Sequence, residues 1–216
     1  MAIEEWKEVV GNSATITTII QFLVGSQVCA VFYKNKTTGD TSGLTFLVGV
    51  LMTFAWFSYG RLIGDHSIQL VNIVGLVLQS LYCICFYMFT PDKLETGKRI
   101  VITIILVTLV QLYTQFEDDL PTAQLRLGLL CSSMAVTYCS APLASVQLVF
   151  TTRSTQALPF YLILATVAVT GQWTLYGMII QDNVVLIPNM LGCAVASFQL
   201  ALFWLFPANQ LNKYVV

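Results

Sequence analysis

The segment Trp56-Phe57-Ser58-Tyr59-Gly60 recurs as Trp173-Thr174-Leu175-Tyr176-Gly177, 117 residues further along the chain. At the same offset Asn72 and Gly75 return as Asn189 and Gly192, and Asp65 returns as Asp182. Lys36-Thr37-Thr38 is matched by Arg153-Ser154-Thr155, and Phe86 and Phe89 by Phe203 and Phe206. A register held over this length marks a duplicated structural unit, and it restricts the chain to folds made of two like halves.

The duplicated unit is built for a membrane. Hydrophobic residues make up 56% of the chain and charged residues 10%, and the apolar runs reach the roughly 20 residues that a helix needs to cross a bilayer. Seven spans are expected, at roughly 14–33, 44–63, 68–90, 100–116, 127–150, 159–180 and 184–206. Strands of a β-barrel would be shorter and would alternate apolar with polar residues. The first residues are acidic and supply no basic n-region, so no cleavable signal peptide is expected and the first span serves as the insertion signal.

Basic residues favour cytoplasmic loops. With the N-terminus outside, Lys34, Lys36, Lys93, Lys98, Arg99, Arg153 and Lys213 fall inside, and only Lys7, Arg61 and Arg126 fall outside. The expected topology is therefore N-out, C-in. A three-helix unit repeated directly would insert upside down, and one extra helix restores its orientation. The expected fold is an all-α integral membrane protein of seven transmembrane helices in a 3+1+3 arrangement. Residues 1–90 form the first triple-helix repeat and 91–125 the linker helix region, while 126–207 form the second repeat and 208–216 a short cytosolic tail. The two repeats then run parallel, about an axis along the membrane normal, and two like halves rocking about a site on that axis make a transporter.

The interiors of the seven spans contain no Asp, Glu, Lys, Arg or His. A proton relay or a charged selectivity ring needs such groups at membrane depth, so the expected cargo is a neutral solute moving down its gradient without ion coupling. Nothing resembles a nucleotide loop, a zinc motif or a hydrolase triad. No enzyme activity, catalytic residue, cofactor, metal or nucleic-acid partner is expected. The six cysteines all fall within spans and read as small packing residues. His66 reads as a solvated residue of a short outer loop.

What the spans do hold is a matched pair of amides and a matched pair of indoles. Asn72 and Asn189 lie in the third helix of each repeat, near the middle of the membrane. A buried amide needs its donors and acceptors satisfied, and two amides across a pseudo-two-fold axis offer both functions to a polyhydroxylated ligand. Trp56 and Trp173 lie sixteen residues upstream of their asparagines. An indole face suits the C–H face of a pyranose, so a neutral sugar fits both pairs. A lone membrane Asn serves equally as interhelical glue, and a lone Trp as an interfacial anchor; the repetition at one spacing favours binding. Pro142 and Pro188 fall inside spans and read as kinks, while Pro159 reads equally as a helix start.

The doubled [Lys/Arg]-[Ser/Thr]-Thr loops and the two Trp-x-x-Tyr-Gly motifs, with Pro188-Asn189-x-x-Gly192 and Ala141-Pro142-Leu143-Ala144, resemble the SWEET sugar transporters, in their animal branch. The likeness runs over about residues 13–207. SWEETs are an established example of parallel transporter repeats, so that arrangement is not independent support. The resemblance implies a facilitative carrier of mono- or disaccharides that works in both directions by alternating access. It implies that Asn72 and Asn189 are the sugar-binding pair and that Trp56 and Trp173 bracket the sugar. Tyr59, Tyr176 and Asp182 match the outer gate. The family's inner gate is four prolines, from helices 1, 2, 5 and 6; this chain keeps Pro142 and Pro159, with Gly25 and Thr45 at the first-repeat places. Hinge arguments therefore carry over only to the second repeat. The family also implies a homo-oligomer in the lipid bilayer, of the plasma membrane or of Golgi and endomembranes. A PQ-loop-type amino acid transporter and a seven-helix receptor stay open as other classes.

Overall fold

The computed structural model describes residues 2–156 and 158–206, apart from the side chains of 2, 140–142 and 144. Among these residues the regular structure is helical: α1 (Ala2–Leu23), α2 (Gly25–Asn35), α3 (Leu44–Ile63), α4 (His66–Phe89), α5 (Lys93–Phe116), α6 (Leu120–Thr152), α7 (Phe160–Ile179) and α8 (Asn183–Leu205). Helices α1 and α2 form one apolar stretch interrupted at Val24. Six stretches of described residues are long and apolar enough to cross a membrane: Ile3–Asn35, Leu44–Ile63, His66–Phe89, Lys93–Phe116, Phe160–Ile179 and Asn183–Leu205. The 33-residue α6, about 50 Å long at 1.5 Å per residue, completes a seven-helix membrane fold.

Three helices run beyond the apolar segments that announce them. The first begins at Ala2, the linker helix at Lys93 and the fifth span at Leu120, because hydropathy sees only the part of a helix meant for hydrocarbon. The start of α5 is fixed by chemistry instead: the Asp92 carboxylate accepts the Glu95 N–H at 3.1 Å, which satisfies one of the donors a helix start leaves free.

The chain forms two compact units, residues 15–131 in one and residues 1–14 with 132–216 in the other. In the second, the N-terminal turns of α1 pack beside the later helices: Val10 and Ala14 are buried, and Gln172 Nε2 of α7 donates to Ser13 Oγ at 2.9 Å. The core of the first unit is aromatic. Phe32, Phe46, Tyr82 and Phe86 cluster there, with edge-on contacts of Phe32 to Phe46 at 6.5 Å and to Phe86 at 5.9 Å. The other unit fills its core with Val146, Val149, Leu158, Ile163, Ala196 and Leu202. Val149 and Ile163 stand 117 residues after Phe32 and Phe46, so at these two positions rings in one copy give way to branched aliphatics in the other, while Phe203 and Phe206 pack against the second core as well.

The frame itself repeats closely. In the α3–α4 hairpin the Asp65 N–H reaches Gly60 O at 2.9 Å, and in the α7–α8 hairpin the Asp182 N–H reaches Gly177 O at 3.0 Å. Left-handed backbone recurs at Gly64 (φ 69°) and Gln181 (φ 53°), and again at Lys36 (φ 56°) and Arg153 (φ 54°). Both hairpins depend on glycine at the point of closest approach. A Cβ on Gly177 would stand 2.8 Å from the Leu186 Cα and N, whereas on Gly60 it would meet the Ile68 side chain at 2.9 Å and backbone, Gln69 N, only at 3.1 Å.

Backbone cannot swing aside as a side chain can. Gly177→Ala is therefore expected to destabilise the protein by about 1–3 kcal/mol, and Gly60→Ala by less. Thermal unfolding of the purified protein in detergent checks this, and an unchanged midpoint for Gly177→Ala would contradict the close approach.

Candidate functional site

Asn72 in α4 and Asn189 in α8 are both half-buried, and each commits one amide N–H to its own helix. Asn72 Nδ2 donates to Ile68 O at 2.9 Å, and Asn189 Nδ2 donates to Val185 O at 2.7 Å. That bond holds the carboxamide in one orientation. Its other N–H and its oxygen are the groups it can offer a ligand.

One turn further on, the glycine of each Asn-x-x-Gly lets the same helix lie close to its neighbours. A Cβ on Gly75 would fall 2.5 Å from the Phe22 ring and 3.0 Å from Thr53 Cγ2; on Gly192 it would fall 3.2 Å from Cys139 Sγ and 3.3 Å from Thr170 Cγ2. Thr53 and Thr170 occupy equivalent positions, as do Phe22 and Cys139. Both threonine hydroxyls turn back to their own helix, Thr53 to Gly49 O at 2.8 Å and Thr170 to Thr166 O at 2.7 Å, leaving the methyls toward the glycines. The repeats thus agree in the threonine and differ in its companion, a phenyl ring in one and a thiol in the other.

The indoles are set just as regularly. Trp56 meets Tyr59 edge-on at 5.9 Å and 88°, and Trp173 meets Tyr176 at 5.4 Å and 86°, the geometry aromatic quadrupoles favour. Tyr59 and Tyr176 are buried, as is Trp173, while Trp56 is partly exposed. Asp182 caps α8: its Oδ1 accepts the Val184 N–H at 2.8 Å and the Val185 N–H at 3.3 Å. Asp65, which recurs in sequence without a part in the expected gate, caps α4 in the same way through the Ile68 N–H at 3.0 Å. Carboxylates suit these positions because a helix start presents free N–H groups and positive partial charge.

Gly25 opens α2 immediately after the break at Val24. There the Val24 N–H bonds to Gln21 O and the Gln27 N–H to Val24 O, both spanning three residues rather than four. Tyr82 of α4 holds the break in shape: its ring lies where a Gly25 Cβ would come within 2.4 Å, and its hydroxyl donates to Phe22 O at 3.1 Å. Ser26 Oγ donates to the next carbonyl, Leu23 O, at 2.6 Å. Sequence reasoning missed Tyr82; the available signal was a tyrosine opposite Gln199 in the same register that sets Gly25 opposite Pro142. The Pro142 side chain lies outside the described residues. Pro159 is the N-cap of α7, and the N-cap of α3 is Gly43, so Thr45 stands two residues inside α3, exposed to its surroundings.

Two copies of one three-helix unit, each carrying an anchored amide and an indole–tyrosine pair, define a repeat-built membrane transporter. The family described as "Sugar efflux transporter for intercellular exchange" matches the chain twice, at residues 8–94 and 125–211. Sugar transporter SWEET1 of Drosophila pseudoobscura pseudoobscura is 35% identical over 202 residues, covering 93% of this chain and 89% of that protein. Sugar transporter SWEET1 of Caenorhabditis elegans is 33% identical over 95% of this chain and 68% of its own. The solved structure of a eukaryotic SWEET transporter matches with a TM-score of 0.90 at 25% identity, over 97% of this chain and all of that one. The chain belongs to the SWEET family.

The break at Val24 gives a direct test. Tyr82→Phe keeps the ring over Gly25 and removes only the bond to the Phe22 carbonyl, an expected loss of about 1 kcal/mol. Gly25→Ala forces the ring away and should cost more, about 1–3 kcal/mol. Thermal unfolding separates the two, and a Gly25→Ala protein as stable as the parent would remove Tyr82 from this role.

Proposed function

We propose that this protein is a facilitative sugar uniporter, carrying mono- or disaccharides in both directions by alternating access and without ion coupling. The observation that carries this reading is the identical construction of the two asparagines, each held by its helix with an N–H and an oxygen left to offer. It stands in a family whose relatives are called sugar transporters. A sugar hydroxyl both donates and accepts, so it can use both functions of each amide.

On this reading Asn72 and Asn189 bind the sugar, and Trp56 and Trp173 present ring faces to its C–H surface. Tyr59, Tyr176 and Asp182 close the outer side, while Gly25, Thr45, Pro142 and Pro159 stand at the inner one. Residues 1–90 and 126–207 act as the repeating units, with 91–125 between them. The distribution of basic residues favours an outer N-terminus, and the family favours a homo-oligomer in the plasma membrane. Affinity is weak, because a bidirectional carrier must release its solute as readily as it binds it, and both orientations must be of comparable energy.

The test is counterflow of labelled glucose into proteoliposomes containing the purified protein, with no ion gradient. Accumulation driven by unlabelled sugar inside is the expected outcome, and competing sugars then rank the substrates. Absence of counterflow with every mono- and disaccharide, or amino acid uptake with a matching proton current, overturns the reading.

Asn72→Ala and Asn189→Ala should each reduce counterflow about tenfold or more in protein that remains folded and inserted. Undiminished flux in both would take the asparagines out of the mechanism. Flux is also expected to stay nearly flat between about pH 5.5 and 7.5, the range in which an imidazole or raised carboxylate in the path would titrate. A steep optimum measured in the same vesicles would count against simple facilitation.

A further inference from the structure

Pro188 is buried inside α8, directly before Asn189. Proline has no N–H, so the carbonyl four residues earlier, that of Val184, loses its helical hydrogen bond. In an apolar bundle such a carbonyl needs another donor. It has one: Ser132 Oγ, from α6, donates to Val184 O at 3.1 Å.

The first repeat serves as an internal control. In register, Val71 stands for Pro188, Ser67 for Val184 and Thr15 for Ser132. Val71 keeps its N–H, so the Ser67 carbonyl needs no outside donor. Thr15 is only 4% exposed, yet among the described residues its hydroxyl has no hydrogen-bond partner. A hydroxyl stands at the same place in both copies and is engaged where proline has freed a carbonyl.

The bond also sits where it matters for Asn189. The Val184 and Val185 N–H groups are held by the Asp182 carboxylate. The Val185 carbonyl is held by the amide of Asn189 itself, and the Val184 carbonyl by Ser132. This first turn of α8 is thus tied at both its donors and its acceptors, and one of those ties comes from a different helix. An ordinary backbone bond would have made the turn self-contained; the proline makes its geometry answer to α6.

We propose that Ser132 is a positioning residue for Asn189: it supplies the hydrogen bond that Pro188 denies to the Val184 carbonyl, and it couples α6 to the turn of α8 from which the asparagine projects. The part concerning sugar rests on Asn189 being a sugar contact. The part concerning the bond does not.

The experiment compares Ser132→Ala, Ser132→Thr, Pro188→Val and the Ser132→Ala/Pro188→Val double variant, each in full-length protein, by glucose counterflow kinetics and by thermal unfolding in detergent. Ser132→Ala is expected to raise the KM about three- to tenfold with a smaller change in maximal rate, and Ser132→Thr, which keeps the hydroxyl, to restore the parent value. Pro188→Val supplies a backbone N–H as Val71 does, so on that background Ser132→Ala should change the KM less than about twofold. A purely structural serine would lower the amount of working carrier, and so the maximal rate, with the KM unmoved. An unchanged KM in Ser132→Ala, or an equal KM shift in the Pro188→Val background, overturns the proposal. If the parent protein shows no sugar counterflow, the transport reading fails by itself, and unfolding decides the bond. A midpoint loss from Ser132→Ala that disappears beside Pro188→Val supports it, and an undiminished loss refutes it.

Discussion

Inside a bilayer a backbone carbonyl has no water to turn to, and this chain supplies a side-chain donor at several of the places where it breaks or ends a helix. The break at Val24 frees carbonyls that are taken by Tyr82 and Ser26. The proline in α8 frees one that is taken by Ser132. Helix ends are treated alike: Gln124 donates to Leu62 O at 2.8 Å, Gln69 to Gly60 O at 3.1 Å, Thr155 to Phe206 O at 2.8 Å, and Lys93 to Met88 O at 2.8 Å. At these places a particular side chain makes irregular backbone tolerable. Those are the places where a carrier can bend without leaving polar groups bare.

The same requirement explains how the repeats have diverged. Positions that govern close helix approach or helix starts are kept in both: Gly60 and Gly177, Gly75 and Gly192, Asp65 and Asp182. Positions that only fill space have drifted, from Phe32 to Val149 and from Phe46 to Ile163. Interruptions of the helix have drifted too, but with their compensating donors. The first repeat breaks its first helix and has Tyr82 to mend it; the second carries a proline in its third and has Ser132. The halves share a frame and differ in where that frame is softened.

Much of the frame was legible because the register of 117 residues acts as an internal alignment. It singled out the anchored asparagines, the indole–tyrosine pairs and both capping aspartates, since each of these makes its defining contact within a turn or two of itself. Hydropathy located the spans but not the polar ends of α1, α5 and α6, nor the break at Val24, where Gly25, Ser26 and Gln27 lie inside a run that is still apolar enough to read as one span. Tyr82, Ser132 and the Gln172–Ser13 contact were out of reach for a different reason. Their partners lie 60, 52 and 159 residues away, so which side chain meets which is decided only by how the helices pack. A vacancy created by proline is the one kind a sequence does announce, and Pro188 was visible inside its span; what it does not announce is which hydroxyl will fill it.

The anchored amides bear on the proposed chemistry through what they withhold. An asparagine free to turn would lose rotamer entropy on meeting a ligand, and it could present either end. Asn72 and Asn189 have already given up that freedom to Ile68 O and Val185 O, so under the proposed function each would offer a solute a fixed choice of donor and acceptor. Preorganisation of this kind lowers the cost of binding without adding contacts. The remaining donor and acceptor of each side chain suit a hydroxyl, which carries both functions on one atom. On the proposed reading they would hold it by neutral hydrogen bonds worth about 0.5–1.5 kcal/mol each in net terms. Bonds of that size select a solute by geometry and still release it, which is what passive movement in both directions requires.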